Sequence, residues 1–374
     1  MKHQLKFYPV GNGDCSLLKL DSGKTILFDF RHTCKCENEN EPEIDLISQI
    51  EQDLDGKKEV DILIITHTDD DHICGLEDYF ELRHAKKYQG DDRIKIKELW
   101  LPAYALVENV DDKSSTRQLL KKEGKHRLKE KEGVRIFSII NKLKDWLEEE
   151  DIDKSEIEHL LSYAGEVVSC SLTEDKDKVK VFCHAPFKAD GDDEDRNCAS
   201  IILHFTFLGS KYPIKYLSMG DPDCLVLSEI ASKTKSKNNH EYLEWDIMSV
   251  PHHCSYGSIN TEKGKTKTTP LDVNIDDLFK NGRLGCYMIS SSKPILNEDS
   301  VQPPHFQAKN YYEDCLEDKD GQFLVTMETP NEINPLPLSF TIDEHGLHLN
   351  SFDKEEGENF YDDPPVQKRP TTFG

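Results

Sequence analysis

Val60-Asp61-Ile62-Leu63-Ile64-Ile65-Thr66-His67-Thr68-Asp69-Asp70-Asp71-His72 is the stretch whose reading decides the fold. Val60 to Thr66 is a nearly continuous apolar run, the pattern of a strand covered on both faces. The run stops at His67, and four groups able to hold a metal follow closely: His67, Asp69, Asp71 and His72. A loop that turns alternate side chains inward directs His67 and Asp69 toward one ion, and Asp71 and His72 toward a second beside it. Such a density of acids is costly without cations among them. An acidic helix N-cap accounts for one or two of the aspartates, but for neither histidine.

Two later strand ends carry matching groups. Ser218-Met219-Gly220-Asp221 closes one apolar run, and Val250-Pro251-His252-His253-Cys254-Ser255 closes another. Each is weak alone, since Gly-Asp turns are common and paired histidines often lie on surfaces. Together they complete a centre of histidines and carboxylates in which Asp221 bridges two ions and one of His252 or His253 serves as a ligand. Convergence requires Asp221 within about 8 Å of His72, because a bridging carboxylate lies ~2–2.5 Å from its ions.

Around these groups the chain alternates strands and helices. Strands are predicted over residues 4–10, 16–20, 25–30 and 94–101, and helices over 44–54 and 76–82, with residues 116–150 mostly helical and broken at Gly124 and Gly133. The second half returns to strands at 179–183, 199–207, 214–219, 246–250, 286–290, 322–327 and 338–342. Two strand-rich halves with helices between them imply two stacked sheets with helices outside. The reading is one domain over residues 1–352 with a helical insertion at about 104–165, then a disordered acidic, proline-containing tail over 353–374.

The composition of 374 residues, 36% hydrophobic and 32% charged, supports a sizeable core under a charged surface. No apolar run reaches the roughly 18 residues needed to cross a bilayer, the start lacks a signal-peptide block, and a cytoplasmic home is expected. The cysteines stand mostly singly in strand-like stretches, as buried thiols do; Cys34-Lys35-Cys36 is a weak zinc signal. A net charge of −25 argues against loose adhesion to nucleic acid. Residues 113–135, however, carry nine Lys or Arg against three Glu. Either this is a solvated helix face, or Lys121, Lys122, Lys125 and Arg127 contact substrate phosphates.

The order His67-x-Asp69-x-Asp71-His72, then Gly220-Asp221, then Pro251-His252-His253-x-Ser255 resembles the metallo-β-lactamase superfamily, and within it the branch that includes the soluble hydrolase domain of ComEC-like DNA-uptake proteins. Val10-Gly11-Asn12-Gly13-Asp14, Ile26-Leu27-Phe28-Asp29 and Asn197-Cys198-Ala199-Ser200 match further motifs of that branch. The resemblance spans residues 4–350 and implies a four-layer αββα sandwich. It also implies two divalent ions on His67, Asp69, Asp71, His72, Asp221 and His252. The wider superfamily has histidine where Asp69 stands, so the harder oxygen donor favours Mn²⁺, with Zn²⁺ the alternative. Cys254 stands where the branch has glycine.

The activity implied is phosphodiester hydrolysis of DNA or RNA. Asp71 or His253 moves the proton, His305 reaches the scissile phosphate, and Asn197, Ser200 and Ser255 line the substrate. The alternatives are a hydrolase of a small phosphorylated molecule such as a cyclic nucleotide, a diiron oxidoreductase, and a non-catalytic interaction module.

Overall fold

The computed structural model describes residues 2–32, 44–110, 115–187 and 196–352. The Cys34-Lys35-Cys36 pair, Lys113 and the tail from Asp353 lie outside the described residues.

The chain begins as an antiparallel meander, β1 (Lys2–Phe7), β2 (Ser16–Lys19) and β3 (Thr25–Phe28). After α1 (Leu46–Asp53) comes β4 (Glu59–Ile64), then the short helices α2 (Asp70–Ile73) and α3 (Leu76–Tyr79), β5 (Lys95–Pro102), α4 (Ala103–Val107) and α5 (Ser115–Glu130). Next come β6 (Val134–Phe137), α6 (Asn141–Glu149), α7 (Lys154–Ile157) and β7 (Leu161–Ser162). The second half runs α8 (Glu174–Asp177), β8 (Val179–Ala185), β9 (Ile202–Phe207), β10 (Ile214–Ser218), α9 (Cys224–Ser236) and β11 (Trp245–Ser249). It ends with α10 (Val273–Lys280), β12 (Gly282–Ser290), α11 (Phe306–Glu317), β13 (Gln322–Val325), β14 (Leu338–Asp343) and β15 (Gly346–Leu349).

These strands form a nine-stranded sheet, β15-β14-β1-β2-β3-β4-β5-β6-β7, and a six-stranded sheet, β13-β12-β11-β10-β9-β8. Ile62 and Ile64 of β4 join Phe28, Trp100, Phe205 and Tyr216 in the apolar layer between the sheets. Leu63 and Ile65 point the other way, into a second core shared with α1 and with the helices after β5. That two-sided burial explains the unbroken apolar run of β4. A third core, including Leu227, Ile275, Phe279, Tyr312 and Met248, lies between the six-stranded sheet and α9–α11. The layering is therefore helix, sheet, sheet, helix, as expected. Among the described residues no helix is long and apolar enough to cross a membrane.

The segment 104–165 departs from the expected helical insertion. Val134–Phe137 is a buried strand, and with β7 it extends the first sheet by parallel pairing on β5. Nor does Gly124 break α5. A Cβ there would lie 2.8 Å from the side chain of Leu101 and 3.2 Å from that of Leu106, so the glycine lets the helix pack closely on β5 and α4. Gly133, with φ +67, does end the connection.

Candidate metal centre

Three loops at the ends of the strands build the site. The first leaves β4 at Thr66, whose N–H and hydroxyl donate to the two oxygens of Asp29 at 2.7 and 2.6 Å. Asp29 Oδ2 also lies 2.8 Å from Nδ1 of His72. That contact holds the Nδ1–H tautomer and leaves Nε2 facing inward, the way an outer carboxylate orients a metal-ligating imidazole. His67 and His72 are both buried, with ring centroids 4.0 Å apart.

The second loop follows β10. Asp221 is fully buried, and its N–H donates to the Ser200 hydroxyl at 3.2 Å. Gly220 approaches Ser200 and Thr66 so closely that a Cβ would meet both hydroxyls at 3.0 Å. In the third loop His252, His253 and Cys254 adopt consecutive left-handed conformations, φ +50, +50 and +66. Such backbone costs ~1–3 kcal/mol per non-glycine residue. It is secured by Val250 N–H to Ile289, Ser255 N–H to His252 and His305 N–H to Cys254. This turn is what makes two adjacent histidines face the same carboxylate. Cys254 takes a left-handed conformation more natural to glycine.

The convergence expected from sequence is present. Asp221 Oδ1 lies 3.3 Å from His72 Nε2, and its Oδ2 lies 3.5 Å from His253, 3.8 Å from His67 and 3.8 Å from His252. His253 Nε2 is 3.0 Å from Asp71, while its Nδ1 faces the Ser291 carbonyl at 2.9 Å. Asp14, His72, Asp221 and His253 bring donor atoms within 4.8 Å of one another. Among the described residues His67 Nε2, His72 Nε2 and Asp221 Oδ1 are buried and make no hydrogen bond, although the last two stand 3.3 Å apart. Buried polar atoms are normally satisfied, so three buried lone-pair atoms aimed at one spot fit a bound cation.

The electrostatics agree. Burial pushes Asp14 up to about 6, against the pull of His253 and His72. Burial also drives His67 down to about 4, helped by the charge of His72. For Asp221 burial acts upward, yet His253, His72 and His67 hold it well below the carboxylate range. His253 is lifted to about 10 because Asp221, Asp71 and Asp14 outweigh the cost of burying its charge. The carboxylates thus demand positive charge, and without metal the imidazoles supply it.

Several residues stand otherwise than expected. Sequence leaves open which of His252 and His253 is the ligand; His253 occupies the deep cluster, and His252 is the more exposed of the pair. Asp69 makes no capping bond; its carboxylate meets Arg196 at 2.7 Å, with Oδ2 3.8 Å from His67. His305 is buried against Tyr256, whose N–H points to its Nδ1 at 3.4 Å, so it is not open to a phosphate here. Ser200 is buried under Asp221, and Ser255 is buried while accepting from Gly257 N–H at 3.2 Å; both shape loops. Asn197 turns the chain into Ser200, whose N–H it accepts at 3.1 Å.

The basic stretch is largely consumed by the protein. Arg127 is buried, 2.6 Å from Glu123 and bonded to the Gly133 carbonyl, because it faces the sheet and not solvent. Lys121 donates to the Glu108 carbonyl at 2.7 Å, Lys125 lies over Trp146, and Lys129 pairs with Glu150 at 2.7 Å. Lys122 is exposed. Sequence reasoning missed Asp14 as a member of the cluster. The signal was Gly13, where a Cβ would collide with Arg31 and with the Asp71 carbonyl; Asp14 N–H donates to that same carbonyl at 3.2 Å.

No family model and no curated protein matches the chain. Among solved structures, unliganded yeast PDE1 is 13% identical, covering 86% of this chain and 97% of its own, with a TM-score of 0.41. The class B3 di-zinc metallo-β-lactamase LRA-12 from an Alaskan soil metagenome is 15% identical over 84% of this chain and 90% of its own, TM-score 0.32. A long-form yeast RNase Z is 11% identical over 80% of this chain and 38% of its own, TM-score 0.35. At this degree of overlap none of them lends the chain an activity, and its chemistry has to come from its own residues.

Proposed function

We propose that the chain is a metal-dependent hydrolase of the metallo-β-lactamase superfamily that cleaves phosphodiesters with two divalent ions, which the residues gathered around Asp221 would hold. His67, Asp69 and His252 face the first pocket; Asp14, Asp71, His72 and His253 face the second. The observation that carries this reading is the set of buried lone-pair atoms His67 Nε2, His72 Nε2 and Asp221 Oδ1. The motif order that resembles the ComEC-like branch supports the same reading.

Divalent ions bound there would supply Lewis acidity to a phosphoryl group and acidify water beside it. Asp29 fixes the His72 ring, the Ser291 carbonyl takes the Nδ1–H of His253 and leaves its Nε2 free for an ion, and Asp71 is the carboxylate there that could accept a proton. Four carboxylates, Asp14, Asp69, Asp71 and Asp221, support Mn²⁺ over Zn²⁺. Cys183, Cys254 and Cys286 are buried thiols, which supports a reducing, cytoplasmic setting.

Between the substrate classes one observation favours the smaller. The basic helix, one of whose two readings was contact with a polymer backbone, spends Lys121, Lys125, Arg127 and Lys129 on protein groups. A nucleotide-sized phosphodiester therefore fits better than long DNA or RNA. Purified protein should be given linear DNA, RNA, cyclic dinucleotides and a chromogenic phosphodiester alongside metal analysis. Turnover of the small diesters with bound metal is expected; turnover of none of the four by metal-loaded protein would remove the reading.

A further inference from the structure

One ionic cluster beside the first pocket is not explained by holding metal. Glu108, which caps α4, is buried to 1% exposure, and its Oε1 accepts from the Thr68 hydroxyl at 2.7 Å. Its Oε2 accepts from Arg196 Nε at 2.9 Å, and Arg196 Nη1 donates to Asp69 Oδ1 at 2.7 Å. Thr68 stands between His67 and Asp69, so the guanidinium is referenced to the metal loop through two rigid bonds. Arg117 reaches the same loop, but it is spent on the Thr68 carbonyl at 2.7 Å and on Asp70 at 2.9 Å. Its side chain is only 17% exposed, whereas that of Arg196 is 32% exposed.

Burying a carboxylate is costly, and burying one to hold an arginine that stays about a third open to solvent makes little structural sense. It does make sense if the open part of the fork has an anion to bind. Arginine carries five N–H donors, and the bonds to Glu108 and Asp69 engage one at Nε and one at Nη1. A guanidinium fork suits phosphoryl oxygens bidentately and needs no reorganisation when already anchored.

We propose that Arg196 is the contact for the phosphoryl oxygens of the substrate at this centre, with Glu108 as its positioning residue; this rests on the phosphodiesterase reading above. The arginine takes the place that sequence gave the helix α5 cations. Neither group is among the ligands proposed above, so bound metal should be unchanged when either is replaced.

The test uses metal-loaded full-length protein and two probes: inorganic phosphate, titrated calorimetrically, and a chromogenic phosphodiester, followed for KM and kcat separately. Arg196→Ala should weaken phosphate binding and raise KM at least tenfold with bound metal unchanged, and Arg196→Lys should fall between it and wild type. Glu108→Gln should raise KM as well, and Glu108→Gln with Arg196→Ala should be no worse than Arg196→Ala alone. The double variant also covers the case in which Arg196→Ala strands the Glu108 charge and fails to fold. Unchanged phosphate affinity and KM in the arginine variants, with wild-type turnover intact, would overturn the proposal and leave the phosphodiesterase reading standing. Arg196-dependent phosphate binding without any diester turnover would do the reverse. Loss of metal together with loss of binding would also overturn it, reducing Arg196 to a support for Asp69.

Discussion

Asp221 is the residue on which the centre turns, since its two oxygens face four imidazoles and its own N–H is fixed by Ser200. Asp221→Asn keeps the shape but removes the charge shared by both pockets. Turnover of a small phosphodiester should fall at least 100-fold, and elemental analysis should show bound metal lost from the variant. Asp29 acts one step away, through the Nδ1 of His72. Asp29→Asn should lower metal affinity about 10–100-fold, as loss of an outer carboxylate partner commonly does, and competition with a chromogenic chelator would measure it. Retention of full metal affinity would mean that the 2.8 Å contact does not orient the ring. Much of this set was legible because ligands crowd directly after apolar strands. Two assignments were not. Adjacent histidines in a sequence are equivalent until a backbone orders them, and three successive positive φ angles put His253 deep and His252 at the rim. Asp14 stands within the 10–14 motif, but sequence does not place it at the site, because the close approach of Gly13 to the Asp71 carbonyl, which brings it there, is a tertiary contact.

Helix α5 illustrates why composition can mislead about an element. Nine basic residues against three acids over residues 113–135 leave open a solvated face or a phosphate contact, and what decides a side chain's use is which way the helix is turned. Arg127 and Glu123 point into the core, where both are buried and where Glu123 also accepts from His84 N–H at 2.9 Å. Removing one partner leaves a charge without compensation, so Arg127→Ala should cost about 3–5 kcal/mol in chemical denaturation, whereas Lys122→Ala should cost less than about 0.5 kcal/mol. The pair also has a pH signature. Burial acts upward on Glu123, but His84 and Arg127 outweigh it and bring it down to about 2 from 4.5. A lowered carboxylate stabilises the fold above its unfolded value, and that contribution fades as pH falls from about 4.5 toward 2. It is worth roughly 3 kcal/mol at neutral pH. The stability gap between wild type and Glu123→Gln should therefore be widest above pH 5 and should narrow on acidification; a gap independent of pH would show that the pair carries no such charge. β6 was hidden for a related reason: Val134–Phe137 is four residues long and interrupted by Arg135, whose guanidinium is accommodated by Glu98 at 3.2 Å and the Ser162 hydroxyl at 3.1 Å.

At the scale of the whole molecule the two sheets meet so that the loops after β4, β10 and β11 share one edge, linked across it by Ile201 N–H to Thr66 and His252 N–H to Gly220. The loop before β2 is tied in as well, because Asn12 bonds to the Lys293 N–H and the Pro303 carbonyl. Ions bound there would hold all these loops together, and binding to the folded state alone stabilises by about 2.7 kcal/mol at a hundredfold excess over the dissociation constant. The most direct measurement is a metal titration: protein stripped with a chelator, reloaded stepwise with Mn²⁺ or Zn²⁺, and assayed on a small phosphodiester at each step. Stripped protein should be inactive, turnover should return as ions bind and saturate near two per chain, and Mn²⁺ should restore more of it than Zn²⁺. Turnover that survives stripping, or a chain that binds no divalent ion, would contradict a metal-dependent centre at His67, His72 and Asp221.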